Sequence, residues 1–290
     1  MRIIITGTGG RLGAAVARHL RDRHRVIAWD RKAMDLRSPG QIEDHFGALA
    51  FDAVIHCAAV TSVDYCEQHP EEALAVNTDA TARIARLCRE RGARLVHVST
   101  DYVYDGRSPG LRTESDPCAP LGAYARTKHA AELAVLEADA RFVVARASWI
   151  FGPDRPGFVD SIIERAGKES ACGAIADKWS NPSYSLDLAE NLEALVLNPD
   201  AAGPVNLCNA GACTWLEYGQ AALDLAHAAG VPLKCRTLAP QRCADMPGFL
   251  SPRPIHTAMD TTRLAALTGK PVRPWQEALA DYIRTYYGRG

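Results

Sequence analysis

Gly7, Gly10 and Gly13, spaced by threes directly after a short apolar run, limit the folds open to this chain more than any other feature. Ile3-Ile4-Ile5-Thr6 leads into Gly7-Thr8-Gly9-Gly10-Arg11-Leu12-Gly13, and an alanine-rich stretch of helical character follows to about residue 22. A strand that turns at once into a helix must bend sharply, bring backbone N–H groups close to a ligand, and pack helix on strand. A side chain obstructs each of these tasks. The first turn of such a helix offers unpaired N–H groups and the positive end of its dipole, which suits a pyrophosphate. Gly7, Gly10, Arg11, Leu12 and Gly13 are therefore expected to hold a dinucleotide.

The stretch after the loop supports the same fold. Short β-rich runs at Arg2–Thr6, Arg25–Asp30, Ala53–Cys57, Arg94–Ser99 and Phe142–Ala147 alternate with helical segments near 11–22, 71–91 and 122–138. Apolar runs separated by helices predict βαβ units and a buried parallel sheet, with ligands at the carboxyl ends of the strands. The fold class expected is α/β, a Rossmann-type doubly wound parallel sheet. Beyond Phe151 prolines punctuate the chain, with a further strand expected at 204–209 and a helix over Trp215–Ala229. Residues 1–150 read as an NAD(P)-binding domain. Residues 151–290 read as a smaller α/β substrate lobe with segments returning to the first domain.

Composition excludes several classes. A net charge of −1 gives no attraction to nucleic acid or anionic membrane, and the basic run Arg18–Arg25 reads as a solvated helix end. No run approaches the roughly 18 apolar residues of a membrane span. Met1-Arg2 leads into only three apolar residues, unlike a secretory leader. Nine cysteines include no Cys-x-x-Cys pair, and Cys57, Cys88 and Cys208 sit in apolar stretches, so reduced core thiols and a cytoplasmic location are expected. No metal site is expected, since His-Glu-x-x-His is absent and the histidines are scattered. A homodimer is the default assembly.

Asp30 ends the second strand, 17 residues after Gly13, near the spacing for a carboxylate on the adenosine ribose. That carboxylate favours NADH, while Arg31 and Arg11 could clamp the 2′-phosphate of NADPH, so both cofactors stay open. Tyr124 and Lys128 stand four apart on an expected helix, hence on one face. A nearby ammonium is expected to lower the phenol's pKa towards neutrality, and Lys128 could also hold a nicotinamide ribose. Thr100 lies 24 residues before Tyr124 at a strand end, placed to donate to a carbonyl oxygen. Together these groups suit protonation of a carbonyl oxygen while hydride reaches its carbon.

The chain resembles the extended short-chain dehydrogenases/reductases, and within them the dTDP-4-dehydrorhamnose reductase branch. The residues carrying the likeness are Gly7–Gly13, Cys57–Glu67, Val76-Asn77-Thr78, Val96–Gly106, Thr113–Lys128 and Arg146–Gly152, with later echoes at Ser251–Pro254 and Leu267–Trp275. The resemblance implies catalytic roles for Thr100, Tyr124 and Lys128. It places Asp35 and Leu36 on the adenine, Ala58, Ala59 and Thr61 along cofactor and sugar, and Asp101, Tyr102 and Trp149 at the sugar. Arg253 is a candidate diphosphate contact, as a guanidinium suits phosphate oxygens. Where the family often has Asp-Gln with Gly-x-Pro-Thr, this chain has Asp177-Lys178-Trp179-Ser180-Asn181-Pro182-Ser183. The implied activity is NAD(P)H-dependent reduction of the 4-keto group of a nucleotide-linked 6-deoxyhexose. The alternatives are a nucleotide-sugar 4-epimerase with retained NAD and a non-catalytic regulatory subunit on the same fold.

Overall fold

The computed structural model describes residues 1–288. Arg2–Thr6 form β1, Arg11–Leu20 α1, Arg25–Trp29 β2, Pro39–Gly47 α2 and Ala53–His56 β3. Val63–Gln68 (α3), Pro70–Leu74 (α4) and Ala80–Glu90 (α5) precede β4 (Arg94–Thr100), α6 (Gly122–Ala138) and β5 (Val143–Ala147). The second half begins with β6 (Ile150–Phe151), α7 (Phe158–Lys168), β7 (Gly173–Ile175), β8 (Trp179–Ser180) and β9 (Ser183–Tyr184). It continues through α8 (Ser185–Leu197), β10 (Gly203–Leu207), β11 (Cys213–Thr214), α9 (Trp215–Ala228), β12 (Ala239–Gln241), α10 (Thr262–Thr268) and α11 (Trp275–Tyr287).

The main sheet is parallel, in the order β2-β1-β3-β4-β5-β10. Its apolar alternation has a direct consequence for packing. Ile3 and Ile5 join one core with Val16, Leu20, Leu188 and Leu192, whereas Ile4 joins the opposite core with Ile42, Phe46, Ile84 and Val135. Period-two side chains thus cover both faces with helices, the condition under which a parallel sheet is stable. The sixth strand comes from the second half, where Gly203–Leu207 pairs with Val143–Ala147. Helix α8 packs on α1. The remaining segments build a separate aromatic core around Phe151, Tyr184, Tyr218, Trp275 and Tyr282.

The helix expected near 71–91 is observed as α4, a wide π turn over Ala75–Asp79, and α5. Asn77 explains the extra residue. Its Oδ1 accepts from Val60 N–H at 2.8 Å, and its Nδ2 donates to Val60 O at 3.1 Å and Thr127 Oγ1 at 3.2 Å. The bulge turns one side chain out of the helix to hold the exit of β3 against α6. Among the described residues no helix is long and apolar enough to cross a membrane. All nine cysteines are free thiols; Cys88 and Cys208 are buried, while Cys57 is half-buried in the wall of the main cleft.

Candidate active site

A cleft of about 1220 Å³ runs along the carboxyl ends of β1, β3, β4 and β5. Its floor is the glycine loop. Gly7 has φ +73°, and a Cβ there would lie 2.7 Å from Ala58 N; a Cβ on Gly13 would strike the Gly7 carbonyl. Helix α1 starts at Gly10 with no side-chain cap, so its first N–H groups lack a protein acceptor. A cradle that any side chain would fill, opening on an uncapped helix N-terminus, fits a dinucleotide pyrophosphate. Gly13→Ala should push the loop off the helix and cost about 1–3 kcal/mol of stability, with NADPH affinity falling in parallel. Thermal melts and fluorescence titration of NADPH would check this; unchanged affinity would contradict the close packing.

Asp30, Arg31, Asp35 and Leu36 all line one end of the cleft. One Asp30 oxygen accepts from the N–H groups of Lys32 and Ala33, so the carboxylate shapes the turn that it ends. The Arg37 guanidinium, hydrogen-bonded to Asp35, holds that carboxyl down at about 2. Arg11 departs from expectation. Its Nε, Nη1 and Nη2 donate to the carbonyls of Arg155, Ile150 and Pro156 at 3.0, 2.7 and 2.7 Å. The guanidinium therefore staples the first helix to the second lobe. The 2′-phosphate clamp assigned to it is corrected accordingly.

Thr100, Tyr124 and Lys128 converge from β4 and the first turns of α6. Glu67 fixes the start of that helix by accepting from Ala123 N–H at 2.8 Å and Ser251 Oγ at 2.9 Å. Burial pushes the Tyr124 phenol above its ordinary pKa, and hydrogen bonding with Thr100 opposes that rise. Thr100 Oγ1 donates to Asp101 Oδ1 at 3.2 Å and accepts from Tyr102 N–H at 3.2 Å. Lys128 does not play the expected part. Its Nζ turns beneath the cleft, donating to Val98 O at 2.8 Å and lying 3.1 Å from His97 Nε2. The expected depression of the Tyr124 pKa by this ammonium is corrected: helical spacing brings the two residues to one face, but tertiary acceptors on β4 claim the charge. Burial in turn lowers Lys128 to about 8, against a rise from Glu132.

His97 and His56 form a stacked pair under this lysine, with centroids 5.3 Å apart. Thr81 Oγ1 donates to Asn77 O, so His56 Nε2 must donate to Thr81, leaving His56 Nδ1 to accept from Thr6 at 2.7 Å. Burial keeps His56 near 3, hence neutral. Neither histidine was singled out in the sequence, where each reads as one more residue of a strand.

On the sugar side, Ala58, Ala59, Thr61, Asp101, Tyr102 and Trp149 all line the cleft. Asp101 is a buried hub, accepting also from Ser148 Oγ at 3.0 Å and Thr257 Oγ1 at 2.7 Å. Trp149 takes φ +29° and stacks on Trp215, 4.7 Å between centroids. Trp215, Ser180 and Lys178 also line the cleft without having been chosen as site residues. Arg253 does not line it. Its guanidinium meets Asp64 at 2.6 Å and covers the Phe249 ring at 4.6 Å, so the diphosphate contact gives way to a clamp on α3.

The family described as RmlD substrate binding domain matches residues 1–287. The dTDP-4-dehydrorhamnose reductase of Mycobacterium tuberculosis strain H37Rv is 34% identical over 288 residues, covering 97% of this chain and 92% of that relative. The dTDP-4-dehydrorhamnose reductase of Aggregatibacter actinomycetemcomitans is 30% identical over 292 residues, covering 98% and 99%. A crystal structure of the dTDP-4-dehydrorhamnose reductase from Bacillus anthracis in complex with NADP superposes with a TM-score of 0.90 at 26% identity, over 98% of this chain and 99% of that one. With the family model matching residues 1–287 and relatives aligned over nearly their whole length, the chain belongs to the RmlD substrate-binding-domain family, among the extended short-chain dehydrogenases/reductases that its motifs resemble.

Proposed function

We propose that this chain reduces the 4-keto group of a dTDP-linked 6-deoxyhexose, with NADPH or NADH as the reductant. The observation carrying this reading is a buried phenol and a strand-end hydroxyl on the wall of a cleft whose floor fits a dinucleotide. Full-length relatives named as reductases of such sugars support it.

A nicotinamide held here would supply hydride to the carbonyl carbon. Tyr124 holds a proton at its phenolic oxygen and delivers it to the carbonyl oxygen, while Thr100 Oγ1 stabilises that oxygen. The single Thr100 proton rests on Asp101 Oδ1 and must swing from it to reach that oxygen. Lys128 keeps positive charge beneath the site. The glycine loop and the N-terminus of α1 would hold the pyrophosphate, with Asp30, Arg31, Asp35 and Leu36 around the adenosine. Binding of the nucleotide away from C4 fixes the sugar in a reactive orientation.

The direct test follows NADPH and NADH oxidation with dTDP-, UDP- and GDP-linked 4-keto-6-deoxyhexoses. Oxidation is expected with the dTDP sugar, and a silent panel would sink the reading. Tightly retained NAD with turnover needing no added reductant would instead identify an epimerase.

A pH dependence follows from Lys128, which is charged below about 8 and neutral above it. The sign is a fall in kcat/KM as pH rises through that value. A pH–rate profile still level at about pH 9.5 would remove the ammonium from the mechanism.

A further inference from the structure

Lys178 is 1% exposed, yet it lies in the cleft wall with Thr100, Asp101 and Tyr102. Its Nζ donates to the Pro254 carbonyl and sits 4.8 Å from the centroid of the Tyr102 ring. That ring stands edge-on to Tyr124, 6.0 Å between centroids. The ammonium is therefore at the reacting end of the cleft, remote from the adenosine end marked by Asp30 and Asp35.

An ammonium carries three N–H donors. Pro254 takes one, the aromatic face screens part of the charge, and among the described residues no second acceptor lies within hydrogen-bonding distance. Asp101 is the nearby counter-charge, but its oxygens already accept from Thr100, Ser148 and Thr257, and it forms no ion pair with Lys178. A buried cation with donors unmatched is costly unless an acceptor arrives. The open side is the cleft.

We infer that Lys178 is a specificity-determining residue that donates to an oxygen of the hexose beside the carbon undergoing reduction. This rests on the reductase reading above and narrows it to hexoses that present a hydroxyl or keto oxygen at that point. The nucleotide contributes nothing to this contact.

The test compares binding of a dTDP-6-deoxyhexose and of dTDP alone to the NADP-loaded protein by calorimetry, for wild type, Lys178→Met and Lys178→Gln. Removal of a charged hydrogen bond should weaken the dTDP-hexose by about 10–100-fold while dTDP and NADPH affinities stay level. Parallel losses for dTDP-hexose and dTDP would overturn the assignment by placing the contact on the diphosphate. Unchanged affinity for both ligands would overturn it as well. If Lys178→Met fails to fold, Lys178→Leu is read in the same way, while Lys178→Gln, which keeps amide N–H donors, should lose less affinity than either. Because binding is read without turnover, a wild type that binds the dTDP-hexose but never oxidises NADPH would sink the reductase reading alone.

Discussion

Tyr124→Phe is expected to lower kcat by about 10²–10⁴-fold, the range for loss of a positioned proton donor, with NADPH affinity unchanged. The phenol is the group held protonated here. Burial raises its pKa, so at neutral pH it carries the proton that the carbonyl oxygen needs. The ring packs beside Tyr102 in a cluster with Cys66 of α3 and Ala73 of α4, and phenylalanine keeps that packing. Only the hydroxyl is removed. Thr100→Val should cost less, since it removes a stabilising donor and leaves the proton source in place. Single-turnover kinetics with NADPH would separate binding from chemistry. Full activity in Tyr124→Phe would move the proton source elsewhere in the cleft.

Glu132→Ala is expected to destabilise the fold by about 3–5 kcal/mol, the cost of leaving a buried charge unpaired. Glu132 and Arg146 are 1% and 4% exposed, and they meet through several hydrogen bonds, the shortest 2.8 Å. The pair ties α6 to β5. Arg146 also donates to Tyr104 Oη at 2.9 Å and Cys118 Sγ at 3.2 Å, so four segments meet at one guanidinium. Cys118, His129 and Glu132 come within 4.8 Å of one another, but this guanidinium already provides the cation against Cys118 and Glu132. Loss of Glu132 would also remove a negative group that supports the charge on Lys128. The double variant Glu132→Leu/Arg146→Met should recover most of the lost stability, because a packed apolar pair replaces a buried ionic one. Denaturant midpoints for the single and double variants would show this. Equal losses in both would mean that shape, rather than unpaired charge, dominates the site.

The segment around Ser251 and Arg253 packs on α3 through contacts outside the cleft lining. Asp64 accepts from the N–H groups of Leu250 and Ser251 and pairs with Arg253, and Glu67 receives Ser251 while capping α6. The segment carrying Ser251 and Arg253 thus bears on the same helix start that places Tyr124. In sequence, Ser-Pro-Arg-Pro reads as a candidate ligand loop. Its acidic partners lie over 180 positions earlier, and nothing local announces them.

What the sequence determined by itself was short-range. The Gly7–Gly13 turn, the alternation that puts Ile3 and Ile5 opposite Ile4, and the i, i+4 relation of Tyr124 and Lys128 depend on backbone geometry within a few residues. Those features are legible because glycine freedom, strand period and helix period are written in neighbouring positions. Tertiary structure alone decided where charged groups point. Lys128 turns to His97 and Val98 on β4, Arg11 to carbonyls some 140 positions away, and Lys178 to Pro254 and the face of Tyr102. It also decided where the strand expected at 204–209 goes, seating Gly203–Leu207 beside β5 as the sixth strand of the sheet. The physical reason is that a long cationic side chain chooses among acceptors by distance in space. The glycine loop opens the cleft in one local stroke, while the charges around it are set by the whole fold.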